Sequence, residues 1–153
     1  MAVFELTLRD WHPARLNQLT NGHWGARQRL KQRDQRAVFM NARLQGVPLA
    51  KGRRRVSLVI TLKKGQRAAD PDAYWKSSLD ALVQAGLLKD DSPKWLELGT
   101  VEYRRTKDSR FGATIILEDV KPAKKIEVVD EAPPRSTRRP AERRPGVQAA
   151  SET

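Results

Sequence analysis

Apolar residues recur along this chain at two spacings, and these spacings predict most of its secondary structure. Residues 3–8 (VFELTL) are typical of a first strand. From about residue 25 to residue 45, apolar residues recur at helical spacing and predict a long helix, which Gly46 and Pro48 end. The β-branched stretch 56–62 predicts a second strand.

A second helix is predicted to begin at the triplet Asp70-Pro71-Asp72, because Asp70 suits an N-cap and Pro71 suits the first helical position. Apolar residues at helical spacing follow, and Gly86 supplies the stop. The stretch before the long helix is predicted to be a loop rich in turn-forming residues: Pro13, Asn17, Asn21 and Gly22.

Two further strands are predicted over 95–104 and 111–117, and the polar turn at 107–109 favours a hairpin between them. In the first of these strands, the apolar residues keep to one face only if Gly99 marks a bulge. The resulting order β, α, β, α, β, β predicts an α+β domain, with one small mixed sheet and two main helices packed against it.

Composition limits the kinds of protein that this chain can be. Its 153 residues suit one domain, and the absence of cysteine excludes disulfides, thiolate metal sites and a cysteine nucleophile. No apolar run approaches a membrane span, and the N-terminus lacks the features of a signal peptide, so we expect a cytoplasmic protein with no membrane partner. We assign residues 1–120 to the folded domain and residues 121–153, rich in proline and arginine, to a basic disordered tail.

The chain is strongly basic, and this favours a phosphate-rich partner. Lysine and arginine outnumber aspartate and glutamate by 30 to 18, which gives a formal net charge of +12. The long helix and the cluster before the second strand supply the candidate DNA contacts, although solvated surface charge has the same pattern: Arg27, Arg29, Lys31, Arg33, Arg53, Arg54 and Arg55.

An acidic segment interrupts this basic chain. Residues 1–69 contain 15 basic and 3 acidic side chains, whereas residues 70–120 contain 7 basic and 10 acidic ones. The acids concentrate at Asp70 and Asp72, where the second helix begins, and at the pair 90–91 after it. Carboxylate oxygens suit a hard cation such as Mg²⁺, so this segment is a candidate metal site.

Lys76 lies on the same predicted helix face as Asp72 and Asp80, four residues from each, and would stabilise negative charge developing on a phosphate. A purely structural interpretation also fits this pattern. Asp70 would then be a helix cap, Asp72 and Asp80 ion-pair partners of Lys76, and the 90–91 pair turn residues.

The acidic segment, DPDAYWKSSLDALVQAGLLKDDS over residues 70–92, resembles the RusA family of Holliday-junction resolvases. That family's pattern is D-x-D-N-x-x-K-x-x-x-D-x-L, then a glycine, an apolar pair and D-D-[S/A/T]. The upstream run Pro13, Asn17, His23-Trp24 and Arg27 is also similar to the loop and basic helix that open such proteins.

The resemblance spans about residues 3–117 and implies a homodimeric, Mg²⁺-dependent endonuclease of bacterial or phage origin, with Mn²⁺ as a possible substitute. It implies that Asp70, Asp72 and Asp91 are catalytic and hold the metal, and that Lys76 assists catalysis. Its substrate would be branched DNA, cut by paired symmetric nicks during recombination and repair.

One position departs from the family pattern and leaves an alternative open. Ala73 stands where the family has asparagine, and alanine cannot make the hydrogen bonds that would orient the acidic turn. A catalytically weakened or inactive protein that binds DNA junctions is therefore the second hypothesis. An RNA-binding module is a third, although the folded segment lacks the regularly placed aromatic residues of common RNA binders.

Overall fold

A computed structural model describes residues 2–21 and 23–122 of the protein. Apart from its first two residues, the predicted tail over 121–153 lies outside the described part. None of the described helices is long and apolar enough to cross a membrane. The elements, in chain order, are β1 (Val3–Arg9), α1 (Leu16–Asn21), α2 (Trp24–Gln45), β2 (Arg54–Leu62), α3 (Asp72–Gln84), β3 (Leu96–Arg105) and β4 (Gly112–Asp119).

The four strands form one mixed sheet in the order β1-β4-β2-β3. β4 pairs antiparallel with β1 and with β2, whereas β2 pairs parallel with β3. Alternate apolar residues of the strands, among them Leu6, Leu58 and Ile115, are fully buried together with Val38 of α2 and Leu82 of α3. The predicted α+β class and mixed sheet are therefore confirmed, since α2 and α3 pack on the sheet and enclose the core.

The predicted hairpin between β3 and β4 is wrong. β4 lies between β1 and β2, and β3 is an edge strand that pairs with β2 alone. Burial explains this order: β2 buries five alternate residues on one face and also Val59 on the other, which suits an interior strand. β3 instead carries exposed Glu102 and Arg104, and charged side chains are typical of a sheet edge.

The predicted bulge in β3 is confirmed. Val56 is opposite Leu98 but Leu58 is opposite Val101, so β3 contains one extra residue at this point. A Cβ atom on Gly99 would clash with Ser57 Oγ and lie 2.9 Å from the backbone carbonyl oxygen of Val56, so glycine suits the close approach of the two strands. The bulge keeps Val101 packed against the core, together with Tyr103.

The segment after β1 is not the continuous loop that its turn-forming residues predict. Leu16–Asn21 form α1, a helix of six residues. A helix this short completes fewer than two turns, so it has little periodicity to detect. The predicted end of the long helix is confirmed, since Gly46 adopts a left-handed conformation (φ 71°) and its N–H donates to the carbonyls of Ala42 and Arg43.

Candidate metal site and basic surface

The candidate metal site lies where the chain enters α3. The helix begins at Asp72, and Pro71 occupies the capping position without any side-chain cap. The backbone carbonyl of Asp70 accepts the Ala73 N–H at 2.9 Å, but the Asp70 carboxylate makes no capping hydrogen bond. The prediction that the Asp70 side chain caps the helix is therefore wrong, and its carboxylate faces solvent.

Asp70 and Asp72 line a common pocket of about 460 Å³, which α1 and the preceding segment close on the opposite side. Arg15 and Asn17 line the same pocket. Both carboxylates are exposed, and neither makes a hydrogen bond or ion pair with a described residue. Asp72 also lies in the first turn of α3.

Asp91, the third predicted ligand, does not line this pocket. It is exposed in the segment between α3 and β3, beside Asp90. Within residues 2–21 and 23–122 there is no group of three or more aspartate, glutamate, histidine or cysteine side chains that could hold a metal ion. The structure therefore brings together two of the three predicted ligands.

The donor set of the pocket fits a magnesium ion that keeps much of its water. Mg²⁺ is commonly bound by one or two protein carboxylates, with water and substrate phosphate completing its shell. Asp70 and Asp72 supply two such oxygen ligands at a solvent-open pocket. Ala73 lines the pocket as well, and its methyl group provides no hydrogen bond to orient either carboxylate.

Lys76 is four residues beyond Asp72, but it forms an ion pair with Asp80, one turn further along α3. Its Nζ lies 3.3 Å from Oδ2 of Asp80, and the Lys76 side chain is 56% exposed. An exposed pair at this spacing contributes only about 0.3–0.5 kcal/mol. Such a weak pair leaves the Lys76 ammonium free to change partners when a phosphate is present.

The acids of residues 70–120 divide into paired and unpaired groups. Five of them form ion pairs with lysine or arginine: Asp80, Glu97, Asp108, Glu118 and Asp119. The other five make no ion pair with a described residue: Asp70, Asp72, Asp90, Asp91 and Glu102. Four of these five are the acids at the two ends of α3, so the predicted acidic sites are those that form no ion pair within residues 2–21 and 23–122.

The side chains of the arginine cluster 53–55, at the start of β2, make contacts within the protein. Arg54 is 2% exposed, and its guanidinium donates to Oδ1 of Asp119 at 2.8 Å and to the carbonyls of Pro48 and Leu87 at 3.0 Å each. Arg54 is therefore a core residue, and its assignment as a DNA contact is wrong. Arg53 pairs with Glu97, as does Arg55, which also pairs with Glu118.

The four predicted DNA contacts on α2 differ in exposure and in their contacts within the protein. Arg29 is exposed and makes no ion pair with a described residue. Arg33 donates to Asp34 and to the carbonyl of His12. Arg27 and Lys31 are partly buried, and Nε of Arg27 is enclosed with no hydrogen-bond partner among the described residues. Arg29 is thus the most available phosphate contact of the four.

Sequence reasoning missed Asp34, a fully buried carboxylate at the centre of the molecule. It accepts hydrogen bonds from Trp11 Nε1 at 3.0 Å, from the Ala14 N–H at 2.7 Å and from Ser77 Oγ at 2.5 Å. These bonds tie α2 to the segment before α1 and to α3 next to Lys76. The available signal was its position, four residues before the buried Val38 on the apolar stripe of α2.

Burial lowers the pKa of His12, and the charges of Arg15 and Arg33 lower it further. Hydrogen bonds to backbone act in the opposite direction, and the His12 Nε2 lies 2.7 Å from the carbonyl oxygen of Thr61. The pKa of His12 therefore lies below its ordinary value, and the imidazole lies close to two arginines, on the side of the sheet where β2 ends.

Comparison with known proteins adds no family to this description. No protein-family model matches the chain, and no curated protein matches it.

Proposed function

We propose that this protein is a Mg²⁺-dependent endonuclease that cuts branched DNA, as its resemblance to the RusA family implies. The observation that carries the proposal is the pair Asp70 and Asp72 in a strongly basic chain: two exposed carboxylates that form no ion pair with a described residue and share a pocket with Arg15. A protein that only coats DNA gains nothing from uncompensated acids at this position, because they repel phosphate.

The residues around the pocket suit phosphodiester hydrolysis. Asp70 and Asp72 would hold the ion, whereas Asp91, the third ligand that the resemblance implies, does not line this pocket. When bound, Mg²⁺ supplies a Lewis acid for the phosphate and lowers the pKa of a water molecule. Arg15 lies in the same pocket and would orient a phosphate oxygen. Lys76, exposed and weakly paired, would stabilise the leaving oxyanion.

The proposal includes a homodimer, because a four-way junction needs two symmetric cuts. Several large apolar side chains of the described residues are exposed. They include Val3 and Leu98 on the sheet and Phe39 and Met40 on α2. A homodimer would make a specific product, a pair of nicks placed symmetrically across the junction.

Cleavage of a synthetic four-way junction in Mg²⁺ tests this function. We expect Asp70→Asn and Asp72→Asn to abolish cleavage, because each removes a charged metal ligand. Lys76→Ala should slow it about 100-fold, since an oxyanion loses its stabilising charge. Glu5→Gln on β1 removes an exposed acid far along the chain from the site and serves as the matched control.

The outcome separates the hypotheses. Paired nicks by the parent protein and by Glu5→Gln, with none by Asp72→Asn, support the proposed function. If the parent protein makes no cut, or if Asp72→Asn cuts as fast as the parent, the nuclease proposal fails.

A second candidate function is binding of DNA junctions without catalysis. Two observations favour it: Ala73 stands in the pocket where the family has asparagine, and Asp91 does not join Asp70 and Asp72 in a group of three. This candidate predicts salt-sensitive junction binding that is equal in Mg²⁺ and in EDTA, together with no cleavage.

A further inference from the structure

A second pocket, of about 450 Å³, lies beside the candidate metal site. The segment after β1, the helix α2 and the segment before α3 enclose it, and three arginines line it: Arg15, Arg33 and Arg67. Of the residues that line this pocket, the function proposed above uses Arg15 alone.

The charges around the pocket favour an anion. Neither Arg15 nor Arg67 makes an ion pair with a described residue, and both are exposed. Arg33 is neutralised by Asp34, whose carboxylate lies 2.6 Å from its Nη2. Asp10 supplies the negative charge among the residues that line the pocket, and the positive charge of Arg15 and Arg67 together is larger. Guanidinium groups bind phosphate oxygens through paired N–H donors.

His12 also lines the pocket and reports on its charge. The charges of Arg15 and Arg33 both contribute to the lowered pKa of the imidazole, which means that both cations lie close to it. An anion bound at Arg15 would offset the effect of that cation and raise the pKa of His12.

The two pockets are adjacent, because Arg15 lines both of them. A nucleic-acid strand with one phosphate at Asp70 and Asp72 would continue past Arg15, and the next pocket along its path contains the free guanidinium of Arg67.

We propose that this second pocket is a phosphoryl-binding site. It holds a phosphate of the same DNA strand, next to the phosphate at Asp70 and Asp72. Arg15 and Arg67 bind the phosphate oxygens, and the pocket fixes the position of the strand. The inference rests on the proposed function for the identity of the strand, but phosphate binding itself can be measured without any cleavage.

His12 makes the test direct. Its pKa is measured by NMR from the imidazole proton shifts, in chloride and in inorganic phosphate at matched ionic strength. We expect phosphate to raise the pKa of His12 by about 0.5 unit or more. Arg110→Gln, which removes an exposed arginine that does not line the pocket, is the control variant and should leave this increase unchanged.

Three variants test the roles of the charges. Arg15→Gln and Arg67→Gln should each weaken phosphate binding about tenfold, because each removes a charged donor. Asp10→Asn should instead strengthen it about threefold, because it removes the opposing charge. Asparagine tolerates the positive φ of 52° at this position, so the backbone need not change.

A single-stranded oligonucleotide, added in EDTA, tests whether the pocket binds a phosphate of a DNA strand. It should raise the pKa of His12 as inorganic phosphate does, and Arg67→Gln should abolish both increases. If phosphate leaves the pKa of His12 unchanged, or raises it equally in the parent protein and in Arg67→Gln, no site exists in this pocket. If inorganic phosphate raises the pKa of His12 and the oligonucleotide does not, the pocket binds free phosphate, and the proposal that it holds a phosphate of a DNA strand is wrong. A failure of junction cleavage alone leaves the phosphate result standing, so the two proposals fail separately.

Discussion

Arg54 and Arg55 are neighbours in the sequence, but their side chains lie on opposite faces of β2. Arg54 points to the helix-covered side, where its guanidinium also stacks 5.2 Å from the centre of the Phe4 ring. Arg55 lies on the other face with Glu97 and Glu118. Alternation along a strand separates them, and the sequence concealed this because the strand was predicted to begin at residue 56, after the cluster.

We expect Arg54→Ala to lower the free energy of unfolding by about 3 kcal/mol, because it leaves Asp119 and two backbone carbonyls without their donor. Arg55→Ala should cost much less than Arg54→Ala, since its ion pairs are exposed to solvent. Urea denaturation followed by circular dichroism measures both values. Equal losses for the two variants would contradict the assignment of Arg54 to the core.

At the scale of elements, the sequence predicts individual strands and helices better than their pairing. The long helix ends at Gly46 and the bulge lies at Gly99, as predicted, because each depends on local backbone geometry. The hairpin between β3 and β4 was wrong because strand order depends on burial of both faces of β2. That burial becomes visible only once the sheet is assembled.

Gly99→Ala tests the bulge. The added Cβ would clash with Ser57 Oγ and lie 2.9 Å from the Val56 carbonyl oxygen, so β2 or β3 must move. We expect a loss of about 2 kcal/mol in unfolding free energy, as is usual for overpacking. The added Ser57→Gly should restore only part of it, because the backbone contact remains.

Gly52→Ala is the control for this variant, because a Cβ there meets nothing within 4 Å. It should leave the stability nearly unchanged. If Gly99→Ala is as stable as Gly52→Ala, the strands do not approach each other as closely as the structure shows.

At the scale of the molecule, sequence reasoning located the acidic pair but not the pocket around it. Asp70 and Asp72 are two residues apart at a helix start, so their proximity follows from local geometry. Arg15 reaches the same pocket from 55 positions earlier in the chain, a distance that no motif spans. Whether Asp91 joins the pair depends on the path of the segment after α3, which spacing alone does not determine.

The net charge of +12 predicts salt-dependent DNA binding, but only unpaired cations should contribute fully. Arg29 is exposed and makes no ion pair with a described residue, whereas Arg110, 82% exposed, is neutralised by Asp108 at 2.9 Å. If Arg29 contacts one phosphate, Arg29→Gln should reduce the slope of log K against log salt by about 0.9. Arg110→Gln, the matched control, should leave the slope unchanged.

Fluorescence anisotropy of a labelled four-way junction, titrated in EDTA at several salt concentrations, measures this slope without cleavage. EDTA separates binding from catalysis, so the result holds for the nuclease and for the non-catalytic alternative. Equal slopes for the parent protein and Arg29→Gln would remove α2 from the DNA-binding surface. An equal decrease for both variants would mean that total charge matters more than the pairing seen in the structure.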